Sequence, residues 1–372
     1  MIVRLLKTLF CCGVCVVFLS LHAFSQTSEM PTDVDSLAAK YFGTDKPIVG
    51  GVIGIVDGKK CYAKGYGLVS LEKTDVPDVD TIYEIASMSK VFTGVLLGEM
   101  VARGELAIDD PLEKFYPKET SLPNFHGNKI TLKHLASHCS GIPRLPTDFW
   151  ETANQTPDNP YLCYSAEKIV RFLNDYQLTA APGTRYEYSN LGMSIVGVTL
   201  ERMTGKSYET LVQERIAQPL EMKNIAVTLT DNMRQKLAPP YNAEKKRVSN
   251  WDMTGFAAGG GLRTSMRDLI KFAQANALML DSFSEFASQP KHPLIRGISK
   301  AAEWQFEDVS HNRRVGLGWH IEPSGVLMHN GQTGGYHSFI LVDPKSHRAV
   351  ILLTNTATET VDALGYEIFK TK

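Results

Sequence analysis

The apolar positions of this chain change period twice. "PIVGGVIGIVDGKKCYAKGYGLVS", residues 47–70, reads as two β-runs joined at Asp57-Gly58, a dipeptide that favours a short hairpin. The closing block "GVLMHNGQTGGYHSFILVDPKSHRAVILLTNT" predicts three strands, starting at Val326, Ser338 and Ala349, with Asp343-Pro344-Lys345-Ser346 turning between the last two. Between these ends the spacing is mostly helical, as in Val91 to Arg103, Leu132 to His138, Ser165 to Asp175, Leu191 to Met203, Tyr208 to Ile216 and Ser265 to Asn276. Sheet, then helices, then sheet implies an α+β fold in which the two terminal blocks share one sheet and a helical region is inserted between them.

Composition adds limits. The 372 residues are 43% hydrophobic and 21% charged, enough for a large core in one domain or two intimate subdomains. With 39 basic against 40 acidic side chains there is no charge excess to attract nucleic acid or an anionic membrane, and a small neutral or zwitterionic ligand fits better. The first stretch carries Arg4 and Lys7, an apolar run to about Leu21, and the small-x-small site Ala23-Phe24-Ser25. It reads as a signal peptide, residues 1–25, cleaved after Ser25, rather than a membrane anchor, so a periplasmic or secreted protein is expected. Cys11, Cys12 and Cys15 leave with that leader. Cys61, Cys139 and Cys163 remain, an odd number, so at least one thiol stays free, and they read as small buried hydrophobes.

Three short segments carry candidate chemistry. In "TIYEIASMSK" Ser87 and Lys90 are three apart and share a helical face, whereas Ser89 points elsewhere. A serine hydroxyl needs a base, and a buried lysine can be neutral and supply one. "APGTRYEYSNLGMSIVG" sets Tyr188 and Asn190 around Ser189, the phenol as a proton shuttle acidified by a nearby ammonium, and the amide to hold a substrate carbonyl or the lysine. "MHNGQTGGYHS" follows an apolar strand with glycines that let a substrate approach closely. There the Gln332 N–H can donate to an oxyanion, and His329 and Asn330 bracket a carboxylate.

Taken together and in this order, S-x-x-K, Y-S-N and H-N-G resemble the three active-site elements of the serine β-lactamases and penicillin-binding proteins. The similarity extends to class C β-lactamases and their carboxypeptidase and esterase relatives. It runs through "YEIASMSKVFTGVLLGEMVARGELAIDDPLEKFYP", "QPLEM", "LGW" and "TGGY" and covers most of residues 35–370. The resemblance implies an α/β sandwich, an antiparallel sheet flanked by helices, with an all-helical subdomain. The sheet part falls at about 35–84 and 255–372, the helical part at about 85–254, and the catalytic domain spans 26–372. It also implies Ser87 as acylated nucleophile, Lys90 as its activator and Tyr188 as proton shuttle. Asn190, His329, Asn330, Gly331 and Gln332 become substrate-binding residues, with the N–H groups of Ser87 and Gln332 as the oxyanion hole. Three departures concern substrate choice: Ala86 stands where class C enzymes carry glycine, His329 where they carry lysine, and no glutamine is evident near Ile142-Pro143-Arg144-Leu145.

The expected activity is β-lactam hydrolysis by a monomer acting on a small molecule, without cofactor, metal, nucleic-acid partner or stable membrane anchor. D-alanyl-D-alanine carboxypeptidase or small-ester esterase activity is the alternative. A β-lactam sensor that acylates without turnover is the alternative of another class, and a metallohydrolase comes last. His134 and His138 have the i, i+4 spacing of zinc helices but lack the glutamate of H-E-x-x-H, so they read as a structural pair. The glycine run in "AAGGGLRT" reads as a tight turn beneath the site, and "EKKR" at 244–247 as a solvated loop.

Overall fold

The structure, a computed structural model, describes residues 30–278, 292–308 and 312–371. The leader read at 1–25 lies outside the described residues. Strands β1 (Gly50–Asp57) and β2 (Lys60–Gly67) form the N-terminal hairpin. Short strands β3 (Ile82–Glu84), β4 (Asn124–Phe125), β5 (Asn128–Lys129) and β6 (Arg263–Ser265) follow, with β3 pairing β6 and β4 pairing β5. The chain then adds β7 (Phe306–Asp308), β8 (Arg313–Val315), β9 (His320–Ile321), β10 (Leu327–Gln332), β11 (His337–Asp343) and β12 (Arg348–Thr354). Among the described residues the main sheet has eight strands in the order β2-β1-β12-β11-β10-β9-β8-β7, and every pairing is antiparallel. The two ends of the chain meet in it: Gly51 of β1 pairs with Thr354 of β12. Strands β7 to β9 escaped the sequence reading because two or three residues are too few to establish a period.

The helices are α1 (Thr32–Tyr41), α2 (Ser89–Ala102), α3 (Leu132–Ala136), α4 (Phe149–Ala153), α5 (Ala166–Asp175), α6 (Asn190–Thr204), α7 (Tyr208–Val212), α8 (Asp231–Lys236), α9 (Ala257–Gly260), α10 (Met266–Leu278), α11 (Pro293–Glu303) and α12 (Thr360–Lys370). The helix expected over 208–216 stops at Val212 and widens into a π-helical turn, Gln213–Ala217.

Strands β1, β11 and β12 are mostly apolar because both faces are covered, and their period of two sorts the side chains. Ile53 and Ile55 of β1, Phe339 and Leu341 of β11, and Val350 and Leu352 of β12 pack with α1 and α12. Val52, Ile340, Val342, Ala349, Ile351 and Leu353 face the other way, into a larger core shared with α2, α6, α10 and α11. Helix α2 is buried on nearly all sides, which is why its sequence shows little amphipathic contrast.

Candidate active site

Ser87 lies in a 3₁₀ turn, Ala86–Met88, that leads into α2. It is the partly exposed residue of the stretch from Thr81 to Lys90, with buried neighbours on either side. Ala86 holds φ +46°, a left-handed conformation that costs a non-glycine residue about 1–2 kcal/mol, at the position where a glycine was expected. Ser89 takes no part: it is fully buried and its Oγ accepts the Leu262 N–H at 3.0 Å.

Lys90 is fully buried, and its Nζ is 3.0 Å from Ser87 Oγ and 2.8 Å from Asn190 Oδ1, with the Gly259 carbonyl as a third partner. Burial, and after it the charge of Arg144, holds the lysine pKa well below its usual value. A neutral amine has two N–H bonds and one lone pair, so with Asn190 and Gly259 as acceptors the lone pair is left for the Ser87 hydroxyl. Gly259 belongs to α9, so the glycine run forms one helical turn rather than the tight turn expected. A Cβ at Gly259 would sit 2.8 Å from the Asn190 carbonyl, too close for α9 to pack on α6.

The Tyr188 side chain interacts with that of Ser87, and Lys90 Nζ lies 4.8 Å from its ring centre. Burial pushes the phenol above its usual range, outweighing the Ser87 hydrogen bond and the Arg144 charge. The expectation of an ammonium that acidifies this phenol is therefore reversed: the lysine is the group biased towards its neutral form, and the tyrosine keeps its proton.

Two residues to which the sequence reading gave no part in the site frame this tyrosine. His138, with φ +56°, brackets it: the His138 carbonyl accepts the Glu187 N–H at 2.7 Å and its Nδ1 accepts the Ser189 N–H at 3.2 Å. Its ring lies 4.6 Å from that of Tyr188. His134 instead closes a capping box with Thr131, so the two histidines serve different elements. Among the described residues no group of three or more metal-ligating side chains is assembled. Arg144 is exposed, with Cζ 5.1 Å from the Tyr188 ring centre. No spacing signal links these residues to Tyr188; only the folded chain does.

Strand β10 closes the other wall. Its Gly331 is seated against the nucleophile's turn, where a Cβ would fall 2.3 Å from the Ile85 carbonyl and 2.8 Å from Ser87 N. The Thr333 N–H donates to the Tyr336 carbonyl, so by antiparallel alternation Gln332 and His337 form a non-hydrogen-bonded pair. The Gln332 N–H thus faces the free edge of β10, which β9 covers only at Leu327 and Met328.

The structure separates the remaining expected ligands. His329 is 1% exposed, its Nδ1 contacts the Asn330 carbonyl at 2.6 Å, and its ring lies 5.0 Å from that of His320. Asn330 points to the opposite face, where its Nδ2 donates to Asp362 Oδ2 at 2.6 Å. The pairing of His329 and Asn330 around one carboxylate is therefore corrected, because adjacent strand residues project to opposite sides. The Gln332 side chain also faces away, with Oε1 2.9 Å from His337 Nδ1. Asn190 is committed to Lys90 and to Tyr161, whose hydroxyl accepts its Nδ2 at 3.3 Å. Cys61, Cys139 and Cys163 are free, the first two buried and the third partly so, and burial pushes both buried thiols up to about 12.

Comparison with known proteins points the same way. A model of the family described as Beta-lactamase matches residues 37–370. The chain is 26% identical to the Beta-lactamase of Escherichia coli (strain K12) over 342 residues, 83% of this chain and 84% of that one. It is also 26% identical over 362 residues to the D-alanyl-D-alanine-carboxypeptidase/endopeptidase AmpH of that strain, 94% of this chain and 91% of that one. The solved beta-lactamase/D-alanine carboxypeptidase of Pseudomonas syringae superposes with a TM-score of 0.73 at 20% identity, covering 91% of this chain and 99% of that one.

Proposed function

The chain belongs to the beta-lactamase family, and from that premise we propose that it is an exported serine hydrolase that opens the β-lactam amide through an acyl-enzyme on Ser87. One observation carries the reading: the buried Lys90 Nζ lies 3.0 Å from Ser87 Oγ while Asn190 Oδ1 and the Gly259 carbonyl accept from it on its other sides. Lys90 takes the serine proton as Oγ attacks the carbonyl carbon. The N–H groups of Ser87 and Gln332 hold the oxyanion. As the C–N bond breaks, the leaving nitrogen receives a proton through the Tyr188 hydroxyl, which interacts with Ser87 and recovers its own proton from Lys90. Water then attacks the ester with the same groups working in reverse. Export rests on the leader read at residues 1–25.

A second reading, the same machinery acting on D-alanyl-D-alanine peptides or small esters, is favoured by His329, a buried imidazole where the lactamases carry lysine. The test is a chromogenic cephalosporin followed by absorbance and by intact mass, on wild type, Ser87→Ala and Ser89→Ala. Multiple turnovers lost in Ser87→Ala and kept in Ser89→Ala support the lactamase. A stable one-to-one adduct moves the reading to the peptidase or to a sensor, and absence of both adduct and turnover moves it to the esterase. Adduct at full stoichiometry in Ser87→Ala removes Ser87 as the nucleophile.

A further inference from the structure

A β-lactam or a D-alanyl peptide carries a carboxylate, and the strand expected to receive it offers no accessible cation. His329 is 1% exposed with Nδ1 held by its neighbour's carbonyl, and Asn330 faces α12. An exposed guanidinium, that of Arg144, lies instead over the Tyr188 ring. We propose that Arg144 is the specificity-determining residue that binds the substrate carboxylate, from the Tyr188 side, in place of a cation on β10. This rests on the hydrolase reading above and adds to it the residue that selects anionic over neutral substrates.

Four observations carry the assignment. Arg144 is exposed, and its Cζ lies 5.1 Å from the ring centre of Tyr188, itself 4.8 Å from the Lys90 Nζ that touches Ser87 Oγ, so a ligand on the guanidinium is within one small molecule's length of the nucleophile. Its backbone is fixed: the Arg144 carbonyl accepts the Leu191 N–H at 3.1 Å, and the preceding Pro143 carbonyl accepts Ser189 Oγ at 2.7 Å. The Arg144 backbone is thus pinned against the start of α6, beside Asn190. Unlike Arg263, Arg267 and Arg215, which are paired with acids, Arg144 forms no ion pair among the described residues, so its N–H fork is available. A guanidinium matches a carboxylate with two parallel hydrogen bonds and can rest on an aromatic face while doing so. Finally, its charge is felt at the reacting centre, where it lowers the pKa of both Lys90 and Tyr188.

The experiment compares a cephalosporin acid with its methyl ester, on wild type, Arg144→Gln and Arg144→Lys, with Arg234→Gln, a surface arginine of α8, as control. The readout is the ratio of kcat/KM, or of the Ser87 acylation rate by mass, for acid over ester. In Arg144→Gln this ratio is expected to fall about tenfold or more, mainly through KM, the loss typical of a hydrogen bond to a charged group. Arg144→Lys, which keeps the charge but not the fork, is expected to fall between, and Arg234→Gln to match wild type. Added salt lowers the wild-type ratio and leaves that of Arg144→Gln nearly flat. An acid-to-ester ratio in Arg144→Gln equal to wild type overturns the assignment. Labelling by an uncharged fluorophosphonate, which needs Ser87 and Lys90 but no carboxylate site, is read in parallel. Failure to label Ser87 there overturns the hydrolase reading itself, so the two failures are told apart.

Discussion

The two faces of β10 are made from one unbroken run of residues and do different work. Leu327, His329 and Gly331 are buried and face the large core and the nucleophile's turn; Met328, Asn330 and Gln332 are more exposed and face α12. On the inner side the chemistry comes from close approach and exclusion of water: Gly331 lets the strand reach Ser87, and the burial that surrounds Lys90 biases it towards its neutral form. On the outer side it comes from polar pairing. Asp362 accepts from Asn330 at 2.6 Å and lies 2.7 Å from His337 Nε2, while His337 Nδ1 reaches Gln332 Oε1. Ser87 and Ser89 repeat the division where the 3₁₀ turn enters α2, one partly exposed beside Lys90 Nζ and one in the core. A motif written as consecutive letters therefore merges groups that the backbone sends to opposite sides.

The inner face is broken most severely by Gly331→Ala. The added Cβ meets the Ile85 carbonyl, which is backbone and cannot turn aside. The strand must retreat from Ser87, and a displacement of that size misplaces the Gln332 N–H. The expected loss in kcat/KM is about 10²-fold or more, with a fall in stability of about 1–3 kcal/mol from overpacking. Steady-state kinetics and a thermal melt measure both. Wild-type kinetics in this variant would mean that the strand does not need its seat against the turn.

A second test sharpens the contrast through pH. Below the depressed pKa of Lys90 the amine is an ammonium without a lone pair, so kcat/KM falls as the solution is acidified and rises to a plateau as pH passes upward through that pKa. Because the Arg144 charge contributes to the depression, Arg144→Gln is expected to move this acid limb to higher pH. Tyr188→Phe is expected to lower the plateau by a factor on the order of 10² and to leave the limb nearly in place. The measurement is kcat/KM for an uncharged ester from pH 5 to 9. A limb that moves downward in Arg144→Gln would assign it to a group other than Lys90.

Much of the scaffold was legible in the sequence because strong periods wrote it. The β1–β2 hairpin, the three closing strands and helices such as α5 and α6 follow from period-two and period-3.6 patterns that tertiary packing did not overrule. The Ser87–Lys90 contact followed from helical spacing and is present at 3.0 Å. What stayed hidden depends on long-range closure. Arg144 and His138 reach Tyr188 from a segment with no spacing relation to it, and the reversed charge bias of Lys90 and Tyr188 comes from burial, which a linear string does not display. Asn330 is the opposite case: strand alternation was available in the sequence, but reading the motif as one ligand set obscured it.

The smallest expected effect belongs to the outer face, and it decides whether the two faces are independent. Asn330→Ala removes the 2.6 Å hydrogen bond to Asp362, and Asp362→Asn removes the carboxylate that Asn330 and His337 share. Asp362 is partly exposed, so its pairings are weakened by solvent, and each change is expected to cost about 1 kcal/mol of stability, a shift of about 1–2 °C in Tm. Because the two residues touch, the double variant should lose less than the sum, by about 0.5 kcal/mol or more. Catalysis should hardly respond: the reacting groups are on the other side of the strand, and kcat/KM on the cephalosporin acid is expected to stay within roughly threefold of wild type, about half a kcal/mol. A large rise in KM for the acid in Asn330→Ala, at unchanged Tm, would return that side chain to the carboxylate and erase the division between the faces. A lower Tm with kinetics preserved would place Asn330 and Asp362 as the brace that holds β10 from behind while Gly331 meets the nucleophile in front.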